Sequence, residues 1–194
     1  AEMALAHGAS VLCEKPLCAT IQDAYAMAAA EAAAEGFVAI GYQWSYSTAV
    51  QALKDDIMSG VFGRPLDARA LACQPRAASY YARNRWAGAL KNADDEWVLD
   101  SPINNAMAHY LHNMLYLLGE TRETSAVPLE VTAELYRANR ISNYDTGMLR
   151  VRVAGGLEMV YVASHAVPTL MGPLTHIRFE EADVYTAPHW EHHC

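Results

Sequence analysis

The chain has 194 residues, enough for one domain or for one domain plus part of another, and 53% of them are hydrophobic, which supports a packed core. The formal net charge is -8, from 14 basic and 22 acidic residues with no long basic run, so nucleic acid is not an expected partner. No apolar run approaches the roughly 20 residues of a bilayer span, so a membrane is not expected either.

The chain opens at Ala1 within AEMALAHGASVLCEKP, which reads as the interior of a longer protein. Glu2 to His7 reads as the end of a helix stopped by Gly8. Ser10 to Cys13 is a short apolar strand running into Glu14-Lys15-Pro16. Thr20 can cap the next helix, with Asp23 three residues on in a capping-box arrangement. That Ala-rich helix extends through Ala34 and stops near Gly36. Phe37 to Tyr42 is a second apolar strand. Helix, strand, helix, strand at this spacing predicts a parallel α/β sheet.

The pattern then changes, placing a boundary near Gly41 to Tyr46, with residues 1–43 in one unit and 44–194 in another. Ser47 or Thr48 caps a helix with Val50, Leu53 and Ile57 on its apolar face, ending at Gly60. Gly63-Arg64-Pro65 is a turn, and Leu66 to Gln74 is a strand. Gln74 to Asp95 shows no period and is rich in Tyr, Arg and Trp, as expected of a long functional loop. Ser101-Pro102 is a strong helix start. Ile103, Met107, Tyr110, Leu111, Met114 and Leu118 then recur at helical spacing until Gly119. Strands follow over Leu129 to Arg137, Met148 to Ala154 and Leu157 to Ser164, the last two joined as a hairpin at Gly155-Gly156. Thr175 to Tyr185 supplies a further strand. The expected fold class is α/β: a remnant of a Rossmann-like parallel sheet followed by an α+β domain with an open, largely antiparallel sheet.

Three groups of residues are suited to chemistry. Glu14-Lys15-Pro16 ends an apolar strand, where open parallel sheets bind ligands; its alternative is a solvated lysine in a loop. Asn105 and His109, four apart, share a helix face that His112 and Tyr116 roughly extend. Histidine is the natural acid/base near neutral pH, and an amide at i−4 can orient its ring or a substrate hydroxyl; the alternative is a buried histidine with a satisfied hydrogen bond. Tyr80, Tyr81, Arg83, Asn84 and Trp86 can pack against sugar or nicotinamide faces, or simply cover the sheet. His189, Glu191, His192, His193 and Cys194 end the chain and read as a frayed end rather than a metal site. The cysteines Cys13, Cys18, Cys73 and Cys194 form no CxxC pair or zinc-type spacing, so no metal and a reduced, cytoplasmic setting are expected. No GxGxxG or P-loop is present.

VLCEKPLCATIQDA at Val11 to Ala24, GYQWSYSTAVQALKDDIMSGVFGRP at Gly41 to Pro65, YYARNRWAG at Tyr80 to Gly88 and LDSPINNAMAHYLHNMLYLLG at Leu99 to Gly119, in this order, resemble the Gfo/Idh/MocA family of NAD(P)-dependent oxidoreductases. The resemblance implies a Rossmann domain that binds NAD or NADP and a C-terminal domain that binds a sugar, polyol or related substrate and forms homo-oligomers when full length. The part carrying the glycine fingerprint, and the end of the second domain, are expected to lie outside this sequence. Carried over, Lys15 matches the EKP lysine at nicotinamide and substrate, with Glu14 and Pro16 beside it, and His109 matches the histidine that handles the substrate hydroxyl proton. Trp86 matches, more loosely, a tryptophan near the cofactor, and Tyr81, Arg83, Asn84 and His112 are expected at the substrate. Many relatives have Asp four residues before the histidine; Asn105 stands there, and an amide is no carboxylate base. The implied activity is hydride transfer between NAD(P) and a hydroxyl substrate. The rival readings are a non-catalytic sugar- or dinucleotide-binding relative and an enzyme of the same fold that uses bound NAD for hydrolysis or internal oxidation-reduction.

Overall fold

The structure, a computed structural model, describes residues 1–186. Helix α1 (Glu2–Ala6) is followed by β1 (Val11–Cys13), α2 (Ile21–Ala32) and β2 (Val38–Ile40). β1 and β2 pair in parallel, Leu12 opposite Ala39, as the alternation of elements requires. Thr20 Oγ1 accepts the Asp23 N–H at 3.2 Å and donates to the Asp23 carboxylate at 2.6 Å. Asp23 therefore bonds the cap hydroxyl rather than the cap backbone, and the expected capping box is one-sided. α2 also ends at Ala32, two residues short of the expected Ala34.

A short 3₁₀ turn, Gln43–Tyr46, leads into α3 (Thr48–Ser59). Ser47 Oγ accepts the Val50 N–H. Gly60 ends the helix in the left-handed region at φ 77°, where a residue with a Cβ is strained. β3 (Pro65–Cys73), β4 (Pro128–Tyr136), β5 (Thr146–Val153), β6 (Glu158–Ser164), β7 (Met171–Phe179) and β8 (Asp183–Thr186) form a six-stranded sheet ordered β4-β5-β6-β3-β7-β8. Only the central β3–β6 pair is parallel; the other four are antiparallel. The expected hairpin turns through Gly155 and Gly156, both at positive φ.

Three further expectations need correction. The 74–95 segment is not all loop: Ala78–Ala82 forms a single helical turn, α4, too short to leave a period in the sequence. The strand expected over 175–185 is two strands, β7 and β8, folded back at Glu180–Ala182, where Phe179 N–H bonds the Ala182 carbonyl at 2.8 Å. The helix expected from Pro102 to Leu118 is broken. Pro102–Ala106 forms a π-type turn, closed by Met107 N–H on the Pro102 carbonyl at 2.8 Å, and α5 (Ala108–Leu117) starts beyond it. Met107 sits at φ −118°, and the fully buried Tyr161 hydroxyl donates to its carbonyl at 2.6 Å. A partner 54 residues away thus holds the break, which no local period can reveal.

The core lies between one face of the sheet and α3, the π-type turn and α5. Ala68, Ala70 and Ala72 point inward from β3, and these small side chains let α5 lie close on the sheet centre, against Met107 and Met114, both 0% exposed. Met159, Tyr161 and Ala163 of β6 and Ile177 and Phe179 of β7 complete the layer. The opposite sheet face carries exposed charge, with Arg178 paired to Asp67 and Arg152 to Glu130. Among the described residues no helix is long and apolar enough to cross a membrane.

Candidate active site

Lys15 lies just past the carboxyl end of β1, in a turn whose Lys15–Pro16 peptide is cis. Its ammonium reaches across to the π-type turn. Nζ donates to the Asn105 carbonyl at 2.6 Å and to Asn105 Oδ1 at 3.1 Å. An ammonium has three N–H groups, so one remains without a partner among the described residues. Burial lowers the Lys15 pKa, while Glu14 and Asp100 oppose that shift. On the same turn, Glu14 Oε2 lies against Gly41, where a Cβ would come within 3.2 Å of it.

His109 occupies the first turn of α5 and is 8% exposed. Its ring stacks on Trp44 at 4.5 Å and meets the edge of Tyr42 at 5.7 Å. Nδ1 is buried with no hydrogen-bond partner among the described residues. Burial first, and then the Lys15 charge, lower the His109 pKa; Glu14 opposes. Both causes favour the neutral imidazole of His109.

His112 is held differently. Its ring stacks on Tyr42 at 4.0 Å, and Nδ1 lies 2.9 Å from Ser45 Oγ, whose hydroxyl donates to Asn113 Oδ1. That polarity makes Nδ1–H the donor to Ser45. Burial, and then His109, lower the His112 pKa.

The expectation that Asn105 orients the His109 ring is not met. The π-type turn between them breaks the regular helical phase. The Asn105 carbonyl oxygens go to Lys15, and Nδ2 donates to Asp100 Oδ1 at 2.7 Å. Asp100, 6% exposed, also accepts the Gly88 N–H at 2.7 Å.

The 80–86 group forms its own stack. The Arg83 guanidinium lies 3.8 Å from the Tyr80 ring centre and 5.3 Å from that of Trp86, which is 40% exposed. Asn84 Oδ1 accepts the backbone N–H groups of Trp86 and Ala87, so this oxygen shapes the turn. Tyr81 buries an unpartnered hydroxyl, its pKa pushed up to about 12 by burial first and nearby acidic groups next. Tyr81 and Asn84 border a groove of about 320 Å³ with Gly88 and Ile141, which neither Lys15 nor His109 lines. The histidines and cysteine at 189–194 lie outside the described residues.

Sequence reasoning missed Tyr42, Trp44, Ser45, Asp100 and Asn113. Tyr42 and Trp44 sit in a turn without periodicity, and Asp100 precedes the helix cap. Asn113, one residue beyond His112, gave the only usable signal: a polar side chain on a helix that is buried nearly all round.

The architecture is a two-stranded parallel α/β unit beside a six-stranded, mostly antiparallel sheet, with a lysine and a histidine brought together between them. A family model described as "Oxidoreductase family, NAD-binding Rossmann fold" matches residues 1–42. Inositol 2-dehydrogenase of Burkholderia ambifaria is 32% identical over 125 residues, 64% of this chain and 32% of that protein. Its counterpart in Ralstonia nicotianae is 31% identical over 118 residues, 60% of this chain and 30% of the relative. The crystal structure of the WlbA dehydrogenase of Bordetella pertussis with NADH and UDP-GlcNAcA superposes with a TM-score of 0.81 at 24% identity, covering 96% of this chain and 54% of that one. An inositol dehydrogenase homolog of Azotobacter vinelandii, complexed with NADH and myo-inositol, gives 0.75 at 17% identity, covering 95% and 46%. The chain thus spans about a third of the length of the curated relatives it matches. Residues 1–42 thus resemble the Gfo/Idh/MocA oxidoreductases in sequence, and the chain shares the fold of the superposed dehydrogenase structures.

Proposed function

We propose that this chain forms the substrate side of an NAD(P)-dependent oxidoreductase acting on a secondary hydroxyl of a sugar or polyol. The observation that carries the reading is the free N–H of Lys15 beside His109, which has an unpartnered ring nitrogen. On this reading residues 1–43 end the dinucleotide-binding domain and 44–194 belong to the substrate domain. The named relatives act on inositol, and neighbouring structures hold NADH with a polyol or a nucleotide sugar, which supports both the cofactor and the substrate class.

The residues present fit the nicotinamide end of such a cofactor. Lys15 stands at the carboxyl end of a parallel strand, where open α/β sheets bind ligands, with Glu14 and Pro16 forming the turn. A bound nicotinamide supplies the hydride acceptor or donor. Lys15 donates its remaining N–H to the substrate oxygen and so favours the charge that builds there. His109, kept neutral by burial and by Lys15, accepts the hydroxyl proton. Trp44 and Tyr42 fix the ring plane. His112, stacked on the same Tyr42 ring that meets His109, extends the aromatic wall. The reduced Cys13, Cys18 and Cys73 fit a cytoplasmic setting. The sheet face without helices fits self-association of the full-length protein.

The test is nicotinamide reduction by the full-length protein with NAD or NADP and a panel of polyols and sugars. Turnover with at least one polyol is expected. Tight binding of both ligands without turnover would instead make the protein a non-catalytic relative.

A further inference from the structure

Asn105 stands where an acidic partner for the lysine and histidine would be expected, yet a carboxylate is nearby. Lys15 Nζ donates to Asn105 Oδ1, Asn105 Nδ2 donates to Asp100 Oδ1, and Gly88 N–H donates to Asp100 Oδ2. Each end of this chain has a fixed polarity. An ammonium only donates and a carboxylate only accepts, so the Asn105 amide has one permitted orientation, with its oxygen on Lys15. Asp100 is buried and forms no ion pair among the described residues. A buried charge without compensation is costly. The cation that answers it is Lys15, one amide away.

We propose that Asp100 is a positioning residue for Lys15: its carboxylate sets the Asn105 amide and supplies, through it, the negative charge that Asn105 lacks. The functional weight of this inference rests on Lys15 being the donor to substrate, but its test needs no substrate. Glu14 on the same turn and His109 on α5 also face Lys15. Tyr81, Tyr144 and His165 lie within electrostatic reach of Asp100. Substitutions at Asp100 and Asn105 leave all of these in place.

The chain contains three lysines, Lys15, Lys54 and Lys91. Isotope-labelled lysine gives three side-chain nitrogen signals, and Lys15→Arg assigns the first. Asp100→Asn keeps the shape but removes the charge. It also forces a donor against a donor somewhere along the chain, because no orientation of two amides satisfies both Gly88 and Lys15. The Lys15 pKa should then fall further below the ordinary lysine value. Unfolding would move it the other way, toward the ordinary value, so the two effects have opposite sign. The exchange Asp100→Asn with Asn105→Asp restores every link: Lys15 on Asp, the new Asn amide on that Asp, and Gly88 on the Asn oxygen. Its Lys15 pKa should return to or rise above that of the unsubstituted protein. An unchanged Lys15 pKa in folded Asp100→Asn overturns the proposal. If Asp100→Asn fails to fold, the exchange decides: a folded exchange with a restored Lys15 pKa supports the proposal, and failure of both to fold overturns it. Absent turnover in the full-length protein would count against the proposed function and leave this result standing.

Discussion

Replacing Lys54 by Met tests how α5, and with it His109, is held. Lys54 is 0% exposed, and its ammonium donates to the carbonyls of Tyr116 and Gly119, both at 2.6 Å, with the Thr124 carbonyl at 3.5 Å. These include carbonyls at the α5 C-terminus, which a helix cannot satisfy internally. The ring of Tyr116 lies 5.1 Å from the ammonium. Two charge-assisted hydrogen bonds at about 1.5–3 kcal/mol each give a gross loss of about 3–6 kcal/mol. Against that stands the desolvation of the ammonium, visible in the lowering of its pKa by burial, which methionine avoids while keeping the apolar stem. A net loss of about 2–4 kcal/mol is expected. With a urea slope of about 1–3 kcal/mol/M, the midpoint should fall by roughly 1 M or more. Urea unfolding followed by circular dichroism reads this directly. A Lys54→Met midpoint equal to the parent's would refute the reasoning, because the ammonium would then not be holding the helix end.

Two further outcomes concern stability. His109, His112 and His165 all have pKa values lowered chiefly by burial. In each case the unfolded chain binds the proton more tightly, so their contribution is present above about pH 6.5 and is lost as pH falls through the lower folded values. Stability should therefore drop between about pH 7 and pH 5.5, before most carboxylates titrate, and urea midpoints that stay level across that window would contradict it. Tyr161→Phe removes the donor to the Met107 carbonyl and should cost about 1–2 kcal/mol. The Met107 amide, which closes the π-type turn, should also exchange faster with solvent; unchanged exchange would show that the break is set locally.

The sequence was most informative where the cause is local. Ser101 accepts the Asn104 N–H, Thr20 and Ser47 cap their helices, and Gly60 takes the left-handed conformation that stops α3. It was least informative where partners come from far along the chain. The apolar period from Ile103 to Leu118 runs straight across the break at Met107, because its cause, Tyr161, belongs to another element. The Asn105–His109 pairing rested on regular helical phase and failed for the same reason. Lys15 and His109 were singled out from the sequence as candidates, but Tyr42, Trp44 and Asp100, which the structure sets near them, lie in turns with no period to mark them. Lys54 did leave a signal: it falls four residues after Val50 and three before Ile57, on the apolar face of α3, where a charged residue needs a buried partner.

The central claim is that His109 moves the substrate proton beside Lys15. It is tested most directly by steady-state turnover of full-length His109→Asn in NAD(P)-linked polyol oxidation, with the thermal midpoint measured alongside. The account expects turnover to fall about 100- to 10,000-fold, the usual contribution of a positioned general base, with little change in midpoint. The parent's profile should rise with pH through an ionisation below the ordinary histidine range, since burial and Lys15 both lower it. Normal turnover in His109→Asn with a reduced midpoint would contradict the account and leave His109 a packing residue between Trp44 and Tyr42.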